Sequence, residues 1–184
     1  DSFGWRGGQS SEQHDIHELT HMFFEVLERC LRPTSARALM HELYGGTIER
    51  GVRCRTCGYS SVRTEDIQDV PLYVRNAATV TAALDDQCVV EQMVGANQYE
   101  CGECDAKRDA FRWQRFRALP PVLILSLQRF DFDYTRGVRV KLSSELRFPR
   151  VLHMHPYMST SPEQIERGIA DAEQRQRKAD EEAA

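Results

Sequence analysis

The stretch from residue 43 to residue 74, LYGGTIERGVRCRTCGYSSVRTEDIQDVPLYV, decides how most of this chain folds. It is rich in β-branched and aromatic residues and has glycines at the turns, so we predict strands on both sides of the pair CRTC. A second stretch from residue 97 to residue 120, NQYECGECDAKRDAFRWQRFRALP, repeats the order of strand, cysteine pair and strand around CGEC. We therefore expect two hairpins that each carry one cysteine pair.

The two pairs supply four thiolates, those of Cys54, Cys57, Cys101 and Cys104. A C-x-x-C pair folds as a tight knuckle with both thiolates on one side, and two knuckles brought together make a tetrahedral zinc site. The alternative is that the pairs are ordinary buried cysteines, but the polar residues that follow each pair favour zinc. Because four thiolates leave no open position for water, we expect a structural zinc cofactor.

The composition limits the classes of function. The 184 residues carry a net charge of −4 and are 41% hydrophobic, as expected for a domain with a core and no nucleic-acid partner. No apolar run is long enough to span a bilayer, so we expect no membrane partner. Without a signal-peptide layout or an initial Met, the chain is expected to be a segment of a longer protein with reduced cysteines, located in the cytoplasm or the nucleus.

The first half of the sequence predicts three helical segments. Apolar residues recur at intervals of three and four from Glu12 to about Leu31, which indicates an amphipathic helix that Pro33 ends. A short second helical piece is predicted near Ala36–Glu42, and residues 79–90 predict a short third helix that Thr79 caps.

Two later segments differ in character. The run PVLILSLQRF, residues 121–130, is typical of a strand buried in a core, and DFDYTRGVRVKL, residues 131–142, predicts a turn at Arg136–Gly137 and a returning partner strand. From Ser161 onward the sequence is dominated by Glu, Arg, Gln, Ala and Lys, which indicates a solvated helix or a disordered linker.

The first helix contains HELTH, residues 17–21, a match to the His-Glu-x-x-His pattern of zinc proteases. On a helix His17 and His21 share a face and can bind one metal, with Glu18 beside them as general base. The pattern is short and arises by chance, and such a protease needs a third ligand. The nearest acidic candidate is Glu42, which precedes a glycine turn, and nothing in the surrounding sequence suggests that it is a metal ligand. We therefore do not favour zinc catalysis here.

Several motifs resemble one known family. The stretch SFGWRGGQSSEQHDIHELTHMFFEVLE, residues 2–28, resembles the glutamine-aspartate box of the ubiquitin-specific proteases. The two cysteine stretches resemble the family's zinc knuckles, and the run that ends in Arg129–Phe130 resembles its Leu-Pro block. The matches run in the family's order over about residues 2–150. Four shorter stretches, ELYGG, CGY, NQYEC and QRFDFDY, resemble one subfamily in particular.

The resemblance implies an α+β, papain-like ubiquitin-specific protease fold built as a right hand. Residues 1–43 would form thumb helices with the glutamine-aspartate box, residues 44–118 the zinc-ribbon fingers and residues 119–157 part of the palm. Residues 158–184 would be a charged helical or disordered tail. The implied activity is that of a cysteine-type deubiquitinase, which hydrolyses the isopeptide bond after the C-terminal glycine of ubiquitin. Ubiquitin and ubiquitinated proteins are the implied partners.

The same resemblance implies a ubiquitin-binding role for Asp15, Glu18 and Phe130. The tail of ubiquitin carries arginines followed by two glycines, and two acids three residues apart on a helix face suit a guanidinium. The alternative is that Asp15 and Glu18 are helix-start acids favoured by the helix dipole. Phe130 would line the channel that admits the tail, or else would pack in the core.

Two catalytic boxes of the family are missing from this sequence. The family nucleophile is a cysteine ahead of the glutamine-aspartate box, but no cysteine precedes Cys30. The family base lies in a Gly-His-Tyr context, whereas the last histidines here lie in LHMHPYMS, where we interpret His155 and Tyr157 as structural or loop residues. We therefore expect no catalytic residue and no turnover by this chain. A noncatalytic ubiquitin-binding or zinc-ribbon scaffold is the alternative function, and a zinc metalloprotease acting through HELTH is the third.

Overall fold

The computed structural model describes residues 16–159 and 162–182, and these residues combine helices with mostly antiparallel sheets, in agreement with the α+β prediction. In chain order the elements are α1 (Ile16–Leu31), α2 (Leu39–Tyr44), β1 (Gly46–Cys54), β2 (Ser60–Ile67), β3 (Val70–Tyr73), α3 (Val80–Cys88), β4 (Glu91–Met93), β5 (Tyr99–Cys101), β6 (Ala106–Arg108), β7 (Ala110–Ala118), β8 (Leu125–Gln128), β9 (Phe130–Asp133), β10 (Val138–Lys141) and α4 (Pro162–Glu182). Within these two ranges no helix has both the length and the apolar character that crossing a membrane requires.

The largest sheet is antiparallel and has the strand order β2-β1-β7-β4. Its register places Gly51 of β1 opposite Trp113 of β7. A Cβ atom at Gly51 would lie 2.0 Å from Cζ2 of the indole, so only glycine lets this buried ring pack against β1. The strands predicted on both sides of the first cysteine pair are confirmed as β1 and β2.

The main core lies between this sheet, α3 and a second, parallel pair of strands. Leu72 of β3, Leu84 of α3 and Phe116 of β7 are fully buried there. The parallel pair joins β3 to β8. The apolar run 121–130 thus contributes the four-residue strand β8 and the first residue of β9, and Leu125 and Leu127 of β8 are partly buried against this core. The prediction that the segment 131–142 returns as the partner of this buried strand is wrong, because β8 pairs with β3.

The predicted helix that Pro33 ends is confirmed as α1, although its predicted start lies outside the described residues. The helix buries Phe24, whose ring centroid lies 4.8 Å from that of Tyr44 on α2. The predicted cap of the helix over residues 79–90, now α3, is also confirmed, because Thr79 Oγ1 accepts a hydrogen bond from the Ala82 amide at 3.0 Å.

The hairpin of β9 and β10 turns where the sequence predicted it. Gly137 has a φ of +67°, a left-handed conformation that glycine adopts without strain. Asp133 holds the turn, since its Oδ1 accepts hydrogen bonds from the amides of Thr135 at 2.9 Å and Arg136 at 3.1 Å.

Residues 162–182 form α4, and one face of this helix is buried rather than solvated. The residues that pack together are Val90, Phe111 and Trp113 with Ile165, Ile169 and Ala172 of α4. Gly168 permits the close approach, because a Cβ atom there would lie 2.5 Å from Cγ2 of Val90. Arg53 of β1 also forms an ion pair with Glu166 at 2.6 Å. The helix α4 therefore packs as part of the folded body of the chain.

Candidate functional site

The residues predicted to bind the ubiquitin tail lie at two places in the chain. Asp15 lies outside the described residues. Glu18 is exposed in the first turn of α1. Phe130 opens β9 with 38% of its surface exposed, and Lys141 Nζ lies 5.9 Å from its ring centroid. Phe130 is therefore not a core residue. The ubiquitin-binding role of Asp15, Glu18 and Phe130 stays a prediction.

The four paired cysteines come together at one end of the large sheet. Cys54 and Cys57 lie where β1 turns into β2, and Cys101 and Cys104 lie in the β5–β6 hairpin. The Sγ atoms of Cys54 and Cys104 are 4.0 Å apart, those of Cys57 and Cys101 are 3.6 Å apart, and all four lie within 4.8 Å of one another. Tetrahedral zinc with bonds of about 2.3 Å places its sulfur ligands about 3.8 Å apart. The donor set and its spacing therefore fit a zinc ion.

Both knuckles need one residue in the left-handed region directly after their second cysteine. Gly58 has a φ of +74° and Asp105 a φ of +47°. In the first knuckle the Gly58 amide donates to the Cys54 carbonyl at 3.1 Å, and the Cys54 amide donates to the Tyr59 carbonyl at 2.9 Å. Glycine adopts this conformation freely, whereas aspartate tolerates it at some cost. The two knuckles thus share a backbone shape although their sequences differ.

Neighbouring groups shift the pKa of the Cys54 and Cys104 thiols in opposite directions. The backbone N–H of Cys57 is the largest influence on Cys54 and lowers the pKa of its thiol to about 6. By contrast, the neighbouring Cys57 side chain and burial raise the pKa of the Cys104 thiol. Because metal ligation requires thiolates, a bound cation is what would allow all four groups to stay deprotonated together.

The two single cysteines, Cys30 and Cys88, lie in different settings. Cys30 is exposed near the C-terminal end of α1, and Cys88 is buried at the end of α3. Burial raises the pKa of the Cys88 thiol to about 11, so it is protonated at neutral pH. In the part of the chain that the structure describes, no hydrogen bond joins either thiol to a histidine.

The HELTH histidines lie beside an acid that the sequence did not single out. Asp69, between β2 and β3, has Oδ2 at 3.0 Å from Nδ1 of His17 and Oδ1 at 3.0 Å from Nε2 of His21. The sequence pointed only to Glu42 as a nearby acid. Asp69 was missed because it lies 48 residues from His21, and no local pattern signals so distant a contact.

Tyr157 has a structural position, in agreement with its interpretation from the sequence. The side chain is buried in the main core, and its hydroxyl donates to Asp85 Oδ1 at 2.9 Å. Burial, with Asp85 adding to it, raises the pKa of this hydroxyl. His155 lies in the same short 3-10 helix, His155–Tyr157, and is exposed.

These features coincide with a family match over most of the sequence. A family model described as "Ubiquitin carboxyl-terminal hydrolase" matches residues 2–168, and the chain belongs to this family of ubiquitin-specific proteases. Ubiquitin carboxyl-terminal hydrolase 47 from Homo sapiens is 38% identical over 168 residues, which cover 88% of this chain and 12% of the relative. Its counterpart from Drosophila melanogaster is 35% identical over 166 residues, which cover 87% of this chain and 11% of the relative.

A second human relative covers the same share of this chain as human hydrolase 47 does. Ubiquitin carboxyl-terminal hydrolase 40 from Homo sapiens is 37% identical over 162 residues, which cover 88% of this chain and 13% of the relative. The similarity to hydrolase 47 confirms the subfamily that ELYGG, CGY, NQYEC and QRFDFDY indicate in the sequence. The chain thus spans between 11% and 13% of the length of these three relatives.

Proposed function

We propose that this chain is the ubiquitin-recognition and zinc-ribbon part of a cysteine-type deubiquitinase catalytic domain. The enzyme would hydrolyse the isopeptide bond after the C-terminal glycine of ubiquitin, and its partners would be ubiquitin and ubiquitinated proteins. The observation that carries the proposal is the family match over residues 2–168. In this proposal residues 1–43 are thumb, 44–118 fingers, 119–157 part of the palm and 158–184 a helical tail.

The zinc ion would be structural and would be held by Cys54, Cys57, Cys101 and Cys104. The sulfur spacing supports this assignment, and so does the shared conformation of the two knuckles. When bound, the ion supplies positive charge to four thiolates and joins the β1–β2 turn to the β5–β6 hairpin. Reduced thiolates of this kind suit a location in the cytoplasm or the nucleus.

Asp15, Glu18 and Phe130 would contact the ubiquitin tail. Glu18 supports this role because it is exposed on the first turn of α1, where a guanidinium can reach the carboxylate. Phe130 supports it because the ring lies at the surface at the start of β9. A charge-assisted hydrogen bond to each acid would contribute about 1.5–3 kcal/mol.

The chain itself would bind ubiquitin without cleaving it. A thiolate–imidazole pair needs both partners within hydrogen-bond reach. Cys88 is buried and protonated, and Cys30 is joined to no histidine within the described ranges. The settings of Cys30 and Cys88 also favour the alternative function, a noncatalytic ubiquitin-binding or zinc-ribbon scaffold. With a fluorogenic ubiquitin-amide substrate we expect no turnover, and thiol-sensitive turnover would contradict this.

A binding titration tests the recognition role. The affinity of fluorescently labelled ubiquitin is measured by anisotropy for the chain and for the double variant Asp15→Asn, Glu18→Gln. If two charged bonds act independently, the loss is about 3–6 kcal/mol, or at least a hundredfold in Kd. Glu25→Gln, at an exposed acid on the same helix, is the matched control and should bind normally. Equal affinity of the double variant and the control would assign the two acids to helix capping alone.

A further inference from the structure

A second group of metal-ligating side chains lies apart from the four cysteines. His17 and His21 stand one turn apart on α1, with ring centroids 4.4 Å apart and ring planes 74° apart. One nitrogen of each ring lies 3.0 Å from a carboxylate oxygen of Asp69. The three ligand atoms lie within 4.8 Å of one another.

From this arrangement we infer that His17, His21 and Asp69 bind a divalent transition-metal ion of the zinc class. Zinc held by imidazole nitrogen and carboxylate oxygen has bonds of about 2.0–2.2 Å, so its tetrahedral ligand atoms stand about 3.3–3.6 Å apart. The two observed nitrogen–oxygen distances, each to a different oxygen of Asp69, are both 3.0 Å. They are shorter than that spacing, so an outward movement of the imidazoles would admit the ion between the rings and the carboxylate. Two nitrogens and one oxygen form a ligand set distinct from the four thiolates.

Asp69 is the member of the set that the fold fixes. Its side chain is only 5% exposed, and the Ser126 hydroxyl of β8 donates to its Oδ2 at 2.5 Å. A buried carboxylate is costly unless a cation or hydrogen-bond donors compensate its charge. Ser126 therefore orients the carboxylate, as outer-sphere hydrogen-bond partners do in metal sites.

The site borders open space. A cavity of about 430 Å³ is lined by the three ligands together with Asp66, Gln68 and His41. Three protein ligands leave one coordination position for water or for another group from this cavity. The ion would also fasten α1 to the turn between β2 and β3, a junction that the hydrogen bond from Gln68 Nε2 to Glu28 Oε1 at 2.5 Å already supports.

The competing explanation is a metal-free network in which Asp69 accepts hydrogen bonds from both imidazoles. In that network each ring presents an N–H to the carboxylate, whereas metal ligation needs the lone pair of each nitrogen. Metal stoichiometry separates the two explanations, because only the first predicts a second ion in addition to that of the four cysteines.

The test uses the purified chain, saturated with zinc, freed of excess ion and analysed for metal content. We expect two zinc ions per chain, one in His21→Gln, and two in the matched control His153→Ala, at an exposed histidine far along the chain. Cys54→Ser should remove the other ion and leave the histidine-bound one. His21 is 47% exposed, so its substitution spares the core, and circular dichroism verifies the fold of each variant.

Two further readouts make the assignment specific. Loaded with cobalt, the histidine site should give ligand-field bands without thiolate charge transfer, and these bands should vanish in His21→Gln. Ser126→Ala should weaken this ion's affinity about 10- to 100-fold while the thiolate bands of the cysteine site stay unchanged. A single zinc ion in the saturated chain, or a second ion that survives His21→Gln, would overturn the assignment. Either result would leave the ubiquitin proposal intact, since that depends on the anisotropy titration.

Discussion

Removing one buried side chain from α4 should detach this helix from the sheet. In Ile169→Ala a residue that is 8% exposed loses its packing against the cluster of Val90, Phe111 and Trp113. Large-to-small changes at such positions cost about 2–5 kcal/mol. Because α4 is the last described element, the cost should fall on local opening of the helix. Hydrogen exchange should then accelerate at least about 30-fold at α4 amides, since 1.4 kcal/mol is about a factor of ten.

The matched control is Gln174→Ala, at an exposed position of the same helix. It should leave exchange in α4 within a few-fold of the original chain, since surface changes usually stay within about 0.5 kcal/mol. Amides of β1 and β7 should keep most of their protection in both variants, because these strands pair with each other without α4. If Ile169→Ala and Gln174→Ala exchange alike, α4 does not dock through this face and the packing argument is wrong.

Three further predictions concern the cysteines and their knuckles. Cys101→Ser should abolish zinc binding at the four-cysteine site, seen as loss of the thiolate–cobalt charge-transfer band; a retained band would contradict the ligand assignment. Gly58 and Asp105 both have positive φ, which glycine adopts without strain and other residues only at a cost. Gly58→Ala should therefore lower the free energy of unfolding by about 1–2 kcal/mol, whereas Asp105→Gly should not lower it. Equal losses in denaturant titrations would refute this. Burial raises the pKa of Cys88 from 9.0 to about 11, so the unfolded state loses this proton first and stability falls between pH 9 and pH 11 by up to about 3 kcal/mol. Cys88→Ala should lack this part of the pH dependence, and an unchanged slope would argue against burial of the thiol.

Local patterns in the sequence sufficed wherever the cause of a structure is local. The helix before Pro33 follows from apolar spacing, and the cap at Thr79 follows from a side chain that reaches the next turn. The turn at Gly137 follows from the need for a left-handed residue. The convergence of the two cysteine pairs is a non-local feature, yet it was predicted because zinc chemistry itself requires four thiolates to meet.

Contacts between distant segments lacked such a signal. The partner of β8 is β3, in a parallel pair that no spacing within residues 121–130 indicates. The buried face of α4 consists of Ile165, Ile169 and Ala172, whose helical spacing is hidden in a segment dominated by charged residues. Asp69 lies next to the HELTH histidines only in the folded chain, because it is 48 residues from His21 in the sequence. For β8 and for the HELTH histidines the deciding partner lies far along the chain, where periodicity and propensity carry no information.

The proposed recognition of ubiquitin's tail is tested most directly by comparing intact ubiquitin with ubiquitin that lacks its C-terminal arginines and glycines. Both are titrated against the zinc-loaded chain, and Kd is measured by isothermal calorimetry. We predict that truncation weakens binding at least a hundredfold, because the proposed charged bonds to Asp15 and Glu18 would contribute about 1.5–3 kcal/mol each. The Asp15→Asn, Glu18→Gln variant should bind both forms equally weakly. Equal affinity of the original chain for intact and truncated ubiquitin would contradict the proposed role of the two acids.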